Sequence, residues 1–250
     1  MLFCRQLTPT LRTPVTWVLI STLWLTGCAS SSSLSSSDKA DASSAYTRLG
    51  IAYLEKNNLT RALDALDRAD ELDAHNAKTL QALALVYQRQ GEDKLAAEYF
   101  RKALDADADF TRARNNYAAF LYQRDAFKQA CKQLERAAKD TKYEHRAKLF
   151  ANLGQCYAAL DEPQKARQSL VRAGKIDPRS ARSALLLAKL ERDQGNHDQA
   201  WAALQRFLKL ATPTRDALSM AAELARERGD NTLAADYQRQ LEQLERTNGS

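Results

Sequence analysis

The 250-residue sequence has few residues that would brace a fold covalently: its four cysteines are Cys4, Cys28, Cys131 and Cys156. So few thiols, so widely spread, exclude the disulfide framework of small secreted domains. Glycine and proline are scarce too, at 8 and 5. Long helices with short turns are therefore expected. Three histidines, His75, His145 and His197, lie far apart and each near a turn, a spacing that does not suggest shared metal ligation. The chain contains no Gly-rich phosphate loop, HExxH, CxxC or GxSxG, so the catalytic residue types lack the spacing that chemistry needs. Acidic pairs such as Glu92-Asp93 are the solvated charge of turns. No catalytic residue, cofactor or metal is expected.

A long apolar run is also missing. The longest, over residues 15–26 (VTWVLISTLWLT), has twelve residues and follows a segment with Arg5 and Arg12 and no acid. As a helix it would rise about 18 Å, short of the ~30 Å hydrocarbon core, so a secretory signal is the better reading than a membrane span. The signal ends in Leu25-Thr26-Gly27-Cys28, which resembles the lipobox of bacterial lipoproteins. That resemblance implies removal of residues 1–27 and acylation of Cys28. Several acyl chains make a stable anchor where one would be marginal. Ala29 rather than aspartate follows the cysteine, which in such lipoproteins permits transfer to the outer membrane, facing the periplasm. Residues 28–42 are rich in serine and read as a flexible tether with no capacity for a core.

Loss of Arg5 and Arg12 lowers the formal charge from +6 to +4. The remaining charges are interspersed, which fits a solvated helical surface and not a nucleic-acid stripe. From residue 43 a period emerges. Ala62, Ala96, Ala130, Ala166, Ala200 and Ala234 hold one place in a recurring apolar pattern, at spacings of 34, 34, 36, 34 and 34. Around them lie Tyr46, Leu49, Gly50 and Tyr53 in the first unit and Phe150, Leu153, Gly154 and Tyr157 in the fourth. This resembles the tetratricopeptide pattern. An all-α, right-handed superhelical solenoid of six tetratricopeptide repeats is expected over 43–248, with units at 43–76, 77–110, 111–144, 147–180, 181–214 and 215–248. The turns EKNNL, QRQGED, QRDAF, ALDEP, DQGNH and RERGDN end one helix and cap the next. The sixth unit has Ala221, Ala222 and Ala225 for larger residues and Gln238 at the usual Phe place, as suits a terminal repeat.

Two extra residues fall in KDTKYEHRAK between units three and four. They read as a tolerated loop, or as a change of superhelical pitch or a recognition loop. Cys131 and Cys156 fall on helices that should touch. They read either as a disulfide joining repeats in an oxidising compartment or as two small apolar core residues.

The tetratricopeptide resemblance implies a concave groove lined by the first helix of each repeat. In units two to four it presents Lys78, Gln81, Leu85, Gln88, Arg89, Arg112, Asn115, Ala119, Tyr122, Gln123, Lys148, Ala151, Gln155, Ala158 and Ala159, a set with four bases and no acid. A partner segment with some acidic character would suit it.

Residues 115–122 read NNYAAFLY, followed by Arg124, Asp125, Phe127 and KDTKYEHRAKLFANLGQCY. With the lipobox and six repeats, this resembles the PilF/PilW family of type IV pilus biogenesis lipoproteins. Asn115, Asn116, Tyr117, Phe120, Leu121 and Tyr122 are the most specific part, while Ala118 and Ala119 stand where the family motif has glycine. The resemblance implies a pilotin role, in which an outer-membrane lipoprotein helps the pilus secretin reach the membrane and form its ring, or stabilises the fibre. An adaptor of another envelope assembly machine and an accessory to a cell-wall enzyme remain alternatives.

Overall fold

The computed structural model describes residues 35–248. These form twelve helices and, among the described residues, no strand: α1 (Ser36–Glu55), α2 (Leu59–Leu72), α3 (Ala77–Gln90), α4 (Asp93–Ala106), α5 (Thr111–Tyr122), α6 (Phe127–Ala137), α7 (Arg146–Ala159), α8 (Pro163–Ile176), α9 (Ala181–Asp193), α10 (His197–Leu210), α11 (Arg215–Glu227) and α12 (Asn231–Asn248). Consecutive pairs are the six repeats. Each intra-repeat turn pivots on one residue with positive φ, namely Asn57, Gly91, Asp125, Asp161, Gly195 and Gly229. All six occupy the fifteenth place of their unit, which only Gly, Asn or Asp takes at low cost. The next residue's N–H then reaches back to the carbonyl of place eleven, from Asn58 to Tyr53 at 2.9 Å through Asp230 to Ala225 at 2.9 Å. The turn chemistry is thus one device used six times.

The first helix starts earlier than the sequence pattern suggests. Residues 36–42, expected in the flexible tether, are the opening turns of α1. Ser35 accepts from the Asp38 N–H at 3.1 Å and Asp38 accepts from the Ser35 N–H at 3.2 Å, a reciprocal capping box that satisfies two donors at the helix start. Once nucleated, the helix gains a bond per residue through polar but helix-compatible Lys39, Ala40, Asp41 and Ala42. Low hydrophobicity argued for a tether; local capping overrides it. Cys28 and residues 29–34 lie outside the described residues.

Small residues set the spacing within repeats. Ala62, Ala96, Ala130, Ala166 and Ala200 are completely buried and Ala234 nearly so. Opposite them, a Cβ on Gly50 would sit 2.5 Å from the Leu66 Cγ, and one on Gly154 2.6 Å from the Leu170 Cγ. Close approach, not chain flexibility, is the role of these two glycines.

Between repeats the joints differ. Phe100 of α4 stacks on Tyr117 of α5 at 5.3 Å and meets Phe120 at 5.6 Å. Cys131 of α6 and Cys156 of α7 are joined as a disulfide, with Cα atoms 5.6 Å apart. The separation of 25 residues corresponds to about 3.5 kcal/mol in the chain-entropy account. The joint between α8 and α9 adds a buried ion pair to an apolar cluster of Ala166, Leu170 and Leu190. Buried Glu191 accepts from Arg167 Nε at 2.6 Å and Nη2 at 2.5 Å, and from Asn196 Nδ2 at 2.8 Å.

The two-residue insertion lies in the connection from α6 to α7. There Asp140 accepts from the Thr111 hydroxyl at 2.7 Å and the Lys142 N–H at 2.9 Å. These bonds hold its carboxyl below the usual carboxylate range. Tyr143 packs half-buried against the central core cluster, and burial pushes its hydroxyl pKa up.

Candidate functional site

The first helices α3, α5, α7 and α9 come side by side because each repeat adds the same small displacement. Their groove-facing side chains divide between two clefts. The first, of about 530 Å³, brings together Lys78, Gln81 and Arg112 from the expected set with Ile51, Phe110 and Tyr143. The second, of about 260 Å³, brings together Ala119, Tyr122, Gln123 and Gln155 with Ala118, Leu134, Asn152 and Arg182. Gln88 donates to Gln123 at 3.0 Å between α3 and α5.

The other expected residues are placed differently. Asn115 is buried and accepts from Asn152 Nδ2 at 2.9 Å. Asn116, next to it on the helix, lines neither cleft, and neither does Lys148. Arg89 donates to the Leu54 carbonyl across the boundary of repeats one and two, so its charge is tied to a helix end. Such a contact favours a cation through the helix dipole.

The absence of acid expected of the groove does not hold in the first cleft. Asp107, Asp109, Asp140 and Glu144 line it as well, and Glu144 bridges Arg112 at 3.0 Å. These acids come from the inter-repeat connections, which fold over the groove rim; counting positions on the helices alone missed them. The second cleft has no acidic lining residue. There Arg182 donates to Asn152 Oδ1 at 2.6 Å and to Gln155 Oε1 at 2.7 Å. Much of its side chain still meets solvent, yet crowding on the concave side desolvates the guanidinium and lowers its pKa, with Tyr122 opposing. Arginine keeps its charge regardless.

Arg182 and Asn152 lie outside the set read from the sequence, although a signal existed. Lys78, Arg112, Lys148 and Arg182 fall at spacings of 34, 36 and 34, so the second place of units two to five is a basic row. In unit six Asp216 takes that place and pairs with Lys189 at 3.1 Å. The row ends there.

Among the described residues, no three His, Cys, Asp or Glu side chains are grouped as metal ligands would be, and no helix is long and apolar enough to cross a membrane. The arrangement offers shape, amide groups and positive charge. It can hold a partner segment by hydrogen bonding and charge.

Family models described as tetratricopeptide repeat match residues 34–77, 77–110, 147–180 and 185–248. The type IV pilus assembly protein PilF of Pseudomonas aeruginosa is 32% identical over 231 residues, covering 91% of this chain and 92% of that protein. A solved structure from a functional characterisation of Pseudomonas aeruginosa PilF superposes with a TM-score of 0.78 at 32% identity, over 82% of this chain and 93% of that one. PilW, described as a widely conserved type IV pilus biogenesis factor, shares the fold with a TM-score of 0.73 at 23% identity, over 80% of this chain and 91% of its own.

Proposed function

Since the chain belongs to the PilF/PilW family of tetratricopeptide proteins, we propose that it is a scaffold for type IV pilus biogenesis, anchored in the outer membrane through Cys28 and facing the periplasm. It assists localisation and multimerisation of the pilus secretin, or stability of the fibre, by binding protein and not by chemistry of its own. The observation that carries this reading is the 32% identity to PilF across 91% of the chain, a match far longer than one generic repeat. The lipobox supplies the anchor in this reading, since several acyl chains hold a protein at a membrane without a span. The clefts of the concave face supply the contact surface.

The test is a deletion strain assayed for secretin multimers and twitching motility. Both are expected to fall sharply; intact multimers with normal fibres would refute the proposal. The anchor is separable from the solenoid. Cys28→Ser is expected to leave the repeats folded, with unchanged helical circular dichroism, while the protein leaves the membrane fraction for the soluble periplasmic one. Continued co-sedimentation of that variant with outer membranes would contradict lipid attachment at this residue.

A further inference from the structure

The second cleft is built around a cation that nothing in its walls neutralises. Arg182 is held by the amide oxygens of Asn152 and Gln155 at 2.6 and 2.7 Å, and Asn152 is itself fixed by donating to buried Asn115 at 2.9 Å. Three residues from two successive first helices, α5 and α7, thus orient one guanidinium carried by the next, α9. Amide oxygens position it without cancelling its charge, unlike the carboxylates that meet Arg112 and Lys189. Among the described residues these bonds engage two N–H groups of the fork, and a guanidinium has five, enough to serve a planar acceptor as well. Ala118, Ala119 and Tyr122 form an apolar wall beside it. At about 260 Å³ the cleft falls below the ~300–1,000 Å³ of small-molecule sites. It has room for a side chain or chain end of a larger partner.

We infer that Arg182, oriented by Asn152, Gln155 and Asn115, is a recognition site for a carboxylate on an extended protein segment lying along the groove. The inference rests on reading the concave face as the partner surface. The carboxylate has two sources, an internal Asp or Glu or the free end of a chain, and both present the same bidentate oxygens. Toward the first repeat the basic row does not continue this preference, because Arg112 is bridged by Glu144 and shares its cleft with Asp107, Asp109 and Asp140; the carboxylate site is confined to the second cleft.

The test uses the full-length protein in detergent and three fluorescently labelled ten-residue peptides of one Ser/Ala/Leu composition. The first carries an internal Glu and an amidated end, the second no acid and a free C-terminal carboxylate, and the third is neutral and amidated. Fluorescence anisotropy is expected to show at least one charged peptide binding about tenfold or more tightly than the neutral one. The stronger of the two identifies the source. The advantage is expected to disappear in Arg182→Gln. Ala119→Glu, at an exposed groove position, places an internal competitor in the cleft without disturbing the amide network, and is expected to abolish the advantage too. The inference is overturned if neither charged peptide outbinds the neutral one, or if the advantage survives in both variants. A wrong pilus reading would instead appear as intact secretin multimers in the deletion strain, leaving these titrations unchanged.

Discussion

Ala130→Glu is expected to unfold repeat three. The residue is 0% exposed on α6, at the place where, in repeats one and four, the alanine carbonyl lies 3.2 and 3.1 Å from a Cβ built on the facing glycine. A glutamate side chain has no room there, and its carboxylate would have no partner, only the apolar cluster of Tyr117, Ala118, Leu121 and Leu134. Overpacking and burial of an unpaired charge act together, a combination expected to cost at least about 4 kcal/mol. In a solenoid the loss also removes both neighbour interfaces of that repeat, so the halves on either side are left to unfold separately. Thermal melting followed by circular dichroism is expected to show a midpoint lowered by about 10 °C or more, or a split transition. Ala119→Glu, with the same charge at an exposed position of α5, is the control and is expected to melt like the parent. Equal melting of the two variants would mean that the assigned repeat register is wrong.

Glu191→Ala is expected to produce the second largest loss, at the joint between repeats four and five. Glu191 is 3% exposed and accepts three hydrogen bonds, two from Arg167 and one from Asn196. Removing the carboxylate leaves the Arg167 guanidinium without its partner in a site that excludes much of the water. Breaking a fully buried pair costs roughly 3–5 kcal/mol. The Arg167 side chain is 33% exposed, so water recovers part of this and a loss near the low end, about 3 kcal/mol, is expected in urea denaturation. The joint double variant Arg167→Met with Glu191→Leu should recover most of it, because a well-packed apolar pair avoids the desolvation of both ions. A double variant no more stable than Glu191→Ala would show that hydrogen-bond geometry and not charge burial governs this joint.

This pair also marks where sequence reading stopped short. Place eleven holds Tyr53, Tyr87, Leu121 and Tyr157 in the first four units, then Glu191 in the fifth. A glutamate at an apolar place is a visible departure from the pattern. Its partner is not visible, because Arg167 reaches it only across the packed faces of α8 and α9. The basic row at Lys78, Arg112, Lys148 and Arg182 was likewise periodic in the sequence, while the engagement of Arg112 by Glu144 and of Arg182 by neutral amides was not. Whether a cation is neutralised depends on which connections fold over the groove rim. Residues 36–42 show the opposite error, since composition suggested a tether and a four-residue capping box made a helix.

What the sequence determined by itself is everything that repeats. A period of 34, small residues at fixed places and one left-handed turn residue per unit require no long-range information, because each repeat specifies its own hairpin and the neighbours merely stack. The single positive-φ residue at place fifteen of all six units is this local logic at its plainest. Tertiary structure alone decided what differs from unit to unit: a disulfide between α6 and α7, an ion pair between α8 and α9, acids over one cleft and an unneutralised arginine in the next. These depend on side chains brought together across different helices, where distance and desolvation act and sequence spacing has no say.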